Sequence, residues 1–277
     1  MRLFSVIIIT CNNSKYLGTC VDSVLCQDYE NIEIIISDDG SVEFNENYWR
    51  GYINSRQGKN IVRVVVHKNP TNAGTVKNIN GALSIASGEY FKVIAGDDAL
   101  ANNTVLTNAA KSLELAGSGI ITSNVIECDK NMNPQKRYRD GFQRKMNSLS
   151  TQECFSKMCI HNGVIAGGVF FSKTYLEEYG YFDENYRLLE DWPKWLQVFQ
   201  KGGRIDYFDF DAVYYRKNNG VGTSNNCDYL NDKRKVMKDI IIPNRKRINA
   251  VDYLFARVAF CIINAKWIRS IYGLFTR

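Results

Sequence analysis

Apolar and polar positions follow two periods along the first hundred residues. Ser5 to Thr10 and Ile32 to Ser37 are β-branched runs of strand length; Ile61 to His67 is a third and Tyr90 to Ala95 a fourth. Helical spacing separates them. Leu17, Cys20, Val21, Val24 and Leu25 share one face after caps offered by residues 12–14, and Val76, Ile79, Leu83 and Ala86 share one face of a helix over residues 75–86. Repeated strand–helix units predict a parallel sheet with right-handed crossovers, which binds ligands beyond the carboxyl ends of its strands. Three polar clusters, at residues 10–13, 38–41 and 96–98, fall at such ends.

The pattern then loosens. It predicts a helix over residues 102–115, a strand over 119–127, a basic hairpin or mobile loop over 129–147, and a glycine-rich apolar segment over 163–171 followed by a helix at 173–179. Residues 180–184 read as a turn and 204–216 as strands. Glu190-Asp191-Trp192-Pro193 reads as a helix start, with proline in the first turn and acids favoured by the helix dipole.

Composition narrows the class. A 277-residue chain with 45% hydrophobic and 23% charged residues suits one large globular domain, or a domain with an appendage. No apolar run has the length of a membrane span, and Met1-Arg2 leads straight into the strand at Phe4, which predicts a cytoplasmic protein without a signal peptide. Eight scattered cysteines and two histidines give no zinc spacing, so the thiols are expected to be small buried groups. The net charge of +6 is uneven. From Lys233 onward eleven Lys or Arg face two Asp, so this tail carries +9 and the preceding residues −3, pointing to an anionic surface as partner. In the tail Leu254, Val258, Cys261 and Ile262 share a helix face, with Asp252, Arg257 and Asn264 away from it and Phe260 interrupting the polar side. This is either an interfacial helix on anionic lipid or a terminal helix packed on the domain.

Candidate chemistry sits in the acidic clusters. Asp97 and Asp98 leave the fourth strand through Gly96. Adjacent anions repel, and a divalent cation with a polyphosphate would give a reason to place them there; hard oxygen ligands suit Mg²⁺ or Mn²⁺. A capped helix start before residues 99–106 is the plainer alternative. Asp38-Asp39-Gly40-Ser41 is either a turn or a site where Asp39 reads a nucleoside base or ribose. Within Glu190-Asp191, one carboxylate can serve as general base toward a sugar hydroxyl. Lys77 meets a phosphate or is a solvated helix charge. Trp192 and Trp195 stack on a sugar or pack in the core.

These pieces, in this order, resemble glycosyltransferase family 2, the inverting enzymes of GT-A fold. The matching segments are Ser5 to Thr10 with Asn12-Asn13, Leu17 to Ser23 with Gln27, Glu33 to Ser41, Asn72-Ala73-Gly74 with Lys77-Asn78, Gly88-Glu89-Tyr90 into Ala95-Gly96-Asp97-Asp98, Gly180 to Glu184, Glu190-Asp191-Trp192, and Tyr214-Tyr215-Arg216. Together they span residues 4–224. The resemblance implies an α/β GT-A fold, a mostly parallel, Rossmann-like sheet flanked by helices, with a basic helical C-terminal extension. Residues 1–100 would bind the nucleotide sugar, 101–230 would bind the acceptor and carry the base within the same domain, and 231–277 would form the extension. Thr10, Asn12, Asp39, Lys77, Asp97 and Glu190 would contact the donor, Asp98 the metal (Mn²⁺ or Mg²⁺), and Asp191 would deprotonate the acceptor. The implied partners are a nucleotide sugar, with UDP expected, and a glycan or lipid-linked glycan in surface-polysaccharide synthesis. Peripheral contact with an anionic membrane through residues 233–277 is expected, and no nucleic acid. The chain departs from the family pattern at Ala95, where an Asp is usual, at Thr10-Cys11, where Pro-x-Tyr is usual, and at Lys217-Asn218-Asn219-Gly220, where many relatives carry a histidine. A sugar-phosphate nucleotidyltransferase and a non-catalytic sugar-nucleotide binder are the competing readings. The first usually wants a glycine-rich phosphate loop after the first strand, which Cys11-Asn12-Asn13 does not supply.

Overall fold

The computed structural model describes residues 1–138, 141–217 and 226–275, with side chains as far as residue 267. Its first half is β1 (Phe4–Thr10), α1 (Ser14–Leu25), β2 (Ile32–Asp38), α2 (Glu46–Asn54), β3 (Ile61–Lys68), α3 (Thr75–Ile85) and β4 (Tyr90–Ala95). These strands are parallel, in the order β3-β2-β1-β4. Thr10 pairs with Asp38 and Ile9 with Ala95, so three strand ends, and the polar residues after them, emerge along one edge.

Alternation along β1 explains the layering. Phe4, Val6 and Ile8 face a core built with Leu17, Val21, Val24 and Trp49, while Ile7 faces a second core with Val76, Ile79, Phe171 and Trp195. Each large apolar side chain buried this way contributes about 1.5–3 kcal/mol.

The second half holds β5 (Ala99–Leu100), α4 (Val105–Leu115), β6 (Ile120–Cys128), β7 (Pro134–Arg137), α5 (Thr151–Met158), β8 (Val169–Ser172), α6 (Lys173–Tyr179), α7 (Asp191–Gln200), β9 (Asp206–Arg216), α8 (Cys227–Lys235) and α9 (Ala250–Phe275). The sheet continues β4-β8-β6-β9-β5, with β7 a hairpin partner of β6. Here the sheet is mixed: β8 runs antiparallel to β4 and β6, whereas β9 is parallel to β6. The segment after Gly96 is not a capped helix start. Residues 99–100 pair with β9, and α4 begins only at Val105 because Asn102 Oδ1 accepts the Thr104 N–H at 3.0 Å in a turn. Three helices escape the periodicity, α8 among them because its nine residues are mostly polar or charged. α2 is nine residues capped by Asn45, and α5 is eight residues opened by a Ser150–Glu153 capping box; both are too short for an apolar stripe to repeat.

Candidate active site

A cavity of about 870 Å³ opens where β1, β2 and β4 end. Its wall includes Thr10, Asp39, Asp97 and Asp98 from the first hundred residues and Glu190 and Asp191 from the second half. Residues almost a hundred positions apart in the chain therefore share one wall. Asn12 and Lys77 do not line it; both are exposed. Asn12 adopts the left-handed conformation (φ 50°) that asparagine tolerates, and its N–H donates to Ser41 Oγ at 2.7 Å. Asp38 in turn accepts the Ser41 N–H at 2.8 Å, closing the turn after β2.

Asp39 is buried and already well bonded. It accepts the N–H of Ala73 at 2.8 Å, that of Gly74 at 2.9 Å and the Asn69 amide at 3.1 Å. Gly74 sits at φ 96°, and a Cβ there would come within 2.7 Å of Arg187 Cγ, so the loop over Asp39 needs glycine. Thr10 Oγ1 is buried without a hydrogen-bond partner among the described residues.

Arg216 braces the Asp97–Asp98 turn. Its N–H donates to Asp98 Oδ1 at 2.9 Å, its Nε to the Asp97 carbonyl at 2.9 Å, and its guanidinium lies 4.0 Å from the Tyr16 ring centroid. Burial raises both carboxyls; for Asp98 the charge of Asp97 adds to a strong upward shift, against which the Arg216 N–H and the Lys92 charge pull. Lys92 is fully buried in β4, donates to the carbonyls of Gly167 and Val169, and is lowered to about 7 by desolvation.

Two raised carboxyls beside each other suit a cation, which would return both to their charged form. Among the described residues no group of three or more His, Cys, Asp or Glu could hold a metal. A hard cation held by Asp97 and Asp98 would have to take its remaining ligands from phosphate oxygens and water, as Mg²⁺ and Mn²⁺ can.

Asp191 opens α7. Its Oδ2 accepts the Asn162 amide at 2.6 Å and its Oδ1 the Trp192 N–H at 2.6 Å, which fixes the carboxylate's orientation. Burial raises it, with those two hydrogen bonds and the Lys233 charge opposing; Glu190 is raised by burial and by Asp191. The loop ahead of the pair is clamped from α8. Asp232 Oδ2 accepts the N–H groups of Arg187, Leu188 and Leu189 at 2.8, 2.7 and 3.2 Å, and Asp228 pairs with Arg187 at 3.3 Å. Arg187 also donates to Asn72 Oδ1 at 2.8 Å, joining this loop to the one held by Asp39. Trp192 and Trp195 line the cavity but are buried in the core, and the Trp192 indole donates to the Met158 carbonyl at 2.7 Å.

Sequence reasoning assigned no role to Arg216, Lys92, Asn162 or Asp232. A signal existed for Lys92, a charge inside a buried apolar strand. Asp232 lies in a charged helix and Asn162 in an unpatterned loop, so neither carried one. Asn218, Asn219 and Gly220 lie outside the described residues.

Comparison with known proteins fits this geometry. The family model described as Glycosyl transferase family 2 matches residues 5–180. The glycosyltransferase GlyG of Streptococcus pneumoniae serotype 4 is 29% identical over 156 residues, 56% of this chain and 50% of that protein. The Escherichia coli protein described as UDP-Glc:alpha-D-GlcNAc-diphosphoundecaprenol beta-1,3-glucosyltransferase WfaP is 27% identical over 255 residues, 91% of this chain and 92% of its own. The chain thus spans half the length of the first relative and nearly all of the second. A mannosyltransferase of Pyrobaculum calidifontis, solved in complex with GDP-Man and Mn²⁺, superposes with a TM-score of 0.64 over 98% of this chain and 75% of that one; at 16% identity the likeness is one of fold.

Proposed function

Because the chain belongs to glycosyl transferase family 2, we propose that it moves a sugar from a nucleotide-diphosphate sugar to an acceptor hydroxyl with inversion at the anomeric carbon. The observation that carries this reading is one cavity lined by Asp39, Asp97 and Asp98 from the first half of the chain and by Glu190 and Asp191 from the second. The donor would lie over the strand ends, its nucleoside toward Thr10 and Asp39 and its diphosphate toward Asp97 and Asp98, with Glu190 near the sugar. Asp39 keeps one lone-pair direction beyond its three donors for a base or ribose group. Asn12 and Lys77 would act, if at all, from outside the cavity wall.

Asp191 is the proposed base. It takes the acceptor hydroxyl's proton as that oxygen bonds to the anomeric carbon, and the bond from that carbon to the diphosphate oxygen breaks in the same displacement. Its hydrogen bonds to Asn162 and Trp192 hold the carboxylate in one orientation, and its raised affinity for protons brings it closer to a useful base strength. Asp98, with Asp97, would hold Mn²⁺ or Mg²⁺, which when bound supplies stabilisation of the departing diphosphate charge.

A UDP-sugar is the proposed donor, in line with the name of the relative WfaP. A glycan or lipid-linked glycan of surface-polysaccharide synthesis is the proposed acceptor. Among the described residues no helix is long and apolar enough to cross a membrane. A lipid-linked acceptor would be met at a membrane surface, and the cytoplasmic face is the proposed setting.

Thermal-shift measurements with UDP- and GDP-sugars, with and without Mn²⁺, test the donor and the cation together. The reading expects stabilisation by one nucleotide sugar, larger with Mn²⁺, and release of free nucleoside diphosphate on turnover. Release of pyrophosphate would indicate nucleotidyl transfer instead, and binding without release a non-catalytic relative.

A further inference from the structure

α9 is apolar on two opposite sides, and protein covers one of them. Ala256 is fully buried, Tyr253 and Phe260 pack against the core, and Arg234 of α8 stacks 3.6 Å from the Trp267 ring centroid while donating to Asn264 Oδ1 at 2.7 Å. The opposite side carries Val251, Leu254, Phe255, Val258 and Ile262, which are 60, 63, 56, 52 and 53% exposed. Helical spacing sets these five in a single stripe. The terminal helix therefore packs on the domain, one of the two alternatives the sequence leaves open, and still presents an apolar face on its other side.

The charges around the stripe bear on what could cover it. Arg257 and Lys266 are exposed on its two flanks, and Arg245 and Lys246 are exposed just ahead of the helix. The acid within α9, Asp252, is turned inward and accepts the Ser156 hydroxyl at 2.7 Å. An apolar stripe with cationic borders matches the interface of an anionic bilayer, where side chains reach the acyl boundary and Lys or Arg meet headgroups. The stripe also runs into the cavity. Ile262 belongs to both, and the cavity lining includes Ala259 and Ile263 together with Lys233 and Asp191.

We propose that this stripe of α9 seats in the headgroup region of an anionic membrane, setting the side of the cavity walled by Ala259, Ile262 and Ile263 against the lipid surface. It deepens the proposed function by naming the surface at which a lipid-linked acceptor would be met. Vesicle binding involves no turnover, so failure here and failure of the transfer reaction are separately visible.

Co-sedimentation of the full chain with phosphatidylcholine vesicles containing an equal part of phosphatidylglycerol tests it. The wild type should pellet. The L254Q/F255Q/V258Q variant should bind at least about ten-fold more weakly, since three apolar side chains no longer enter lipid. These side chains are exposed and line neither core nor cavity, so melting temperature and nucleotide-sugar binding should be unchanged. The R257Q/K266Q variant should lose roughly five-fold per residue toward the anionic vesicles at low salt, and nothing toward pure phosphatidylcholine. Wild type left in the supernatant, or unchanged binding by the triple variant, would overturn the proposal. So would a wild-type dimer in analytical ultracentrifugation that the triple variant converts to monomer, which would assign the stripe to a second copy of the chain.

Discussion

Asp191 and Asp98 are both carboxyls raised by burial, yet their surroundings separate them. Asp191 is held by two hydrogen-bond donors and faces Lys233; Asp98 sits against another carboxyl with one backbone donor. For the proposed base, the rate of transfer should rise with pH through a value above the ordinary Asp range. The Asn162 hydrogen bond favours the ionised form, so Asn162→Ala should move that acidic limb to higher pH, as a kcat profile would record; an unmoved limb would assign the titration to another group. For Asp98 the consequence is stability. A raised carboxyl favours folding while protonated, so its contribution is complete below the unfolded value and is lost as pH rises through the folded one. Lys92, lowered to about 7, stays charged on the acid side of that value and adds little slope there. As pH rises above the ordinary Asp value, about 3.9, the metal-free protein should lose stability to urea, more steeply than its Asp98→Asn variant. Parallel slopes would remove Asp98 as the source. Asp97 and Asp98 were legible because mutual repulsion leaves a fold little structural cause to set adjacent acids at the end of an apolar strand. Arg216 lay in a noted motif, but its brace on their turn depends on a β5–β9 pairing that no local pattern announces.

At the scale of elements, legibility followed the period. β1 to β4, α1 and α3 were readable because each repeats an apolar face several times, and their parallel order set the polar strand ends on one edge. Beyond Ala95 the strands are short or irregular. β8 has four residues and β9 changes register against β6 twice, so the mixed half of the sheet comes from tertiary pairing. α8 shows the same limit. Its mostly polar and charged residues give no apolar stripe to read, yet Asp232 is buried and orders the loop that leads to Glu190 and Asp191. Asp232→Ala leaves three backbone donors without that acceptor and should cost about 2–4 kcal/mol of stability. Its kcat should fall roughly ten-fold or more at unchanged donor affinity, because the base is no longer held in place. Asp232→Asn, which keeps an accepting oxygen, should recover part of both. An equal loss in the two variants would mean that negative charge, rather than the hydrogen bonds, is what the loop needs.

For the whole molecule, the tail contributes to the core. Ile248 and Ala256 are buried in the main core, and Ala259, Ile262 and Ile263 help to wall the cavity. Truncation after Pro243 should therefore lower the melting temperature by about 5 °C or more in calorimetry, whatever the membrane does. A truncated protein that melts like the wild type would make the tail an appendage after all. In the proposed mechanism two distant parts of the chain serve one reaction, with diphosphate departure at Asp98 and hydroxyl attack at Asp191. Asp191→Asn and Asp98→Ala, each measured for nucleotide-sugar affinity in Mn²⁺ and for transfer, test this most directly. Asp191→Asn should keep donor affinity within a few-fold while transfer falls by about a thousand-fold or more, and Asp98→Ala should weaken donor binding and its Mn²⁺ response. Undiminished transfer by Asp191→Asn, or a normal Mn²⁺ response in Asp98→Ala, would contradict the mechanism.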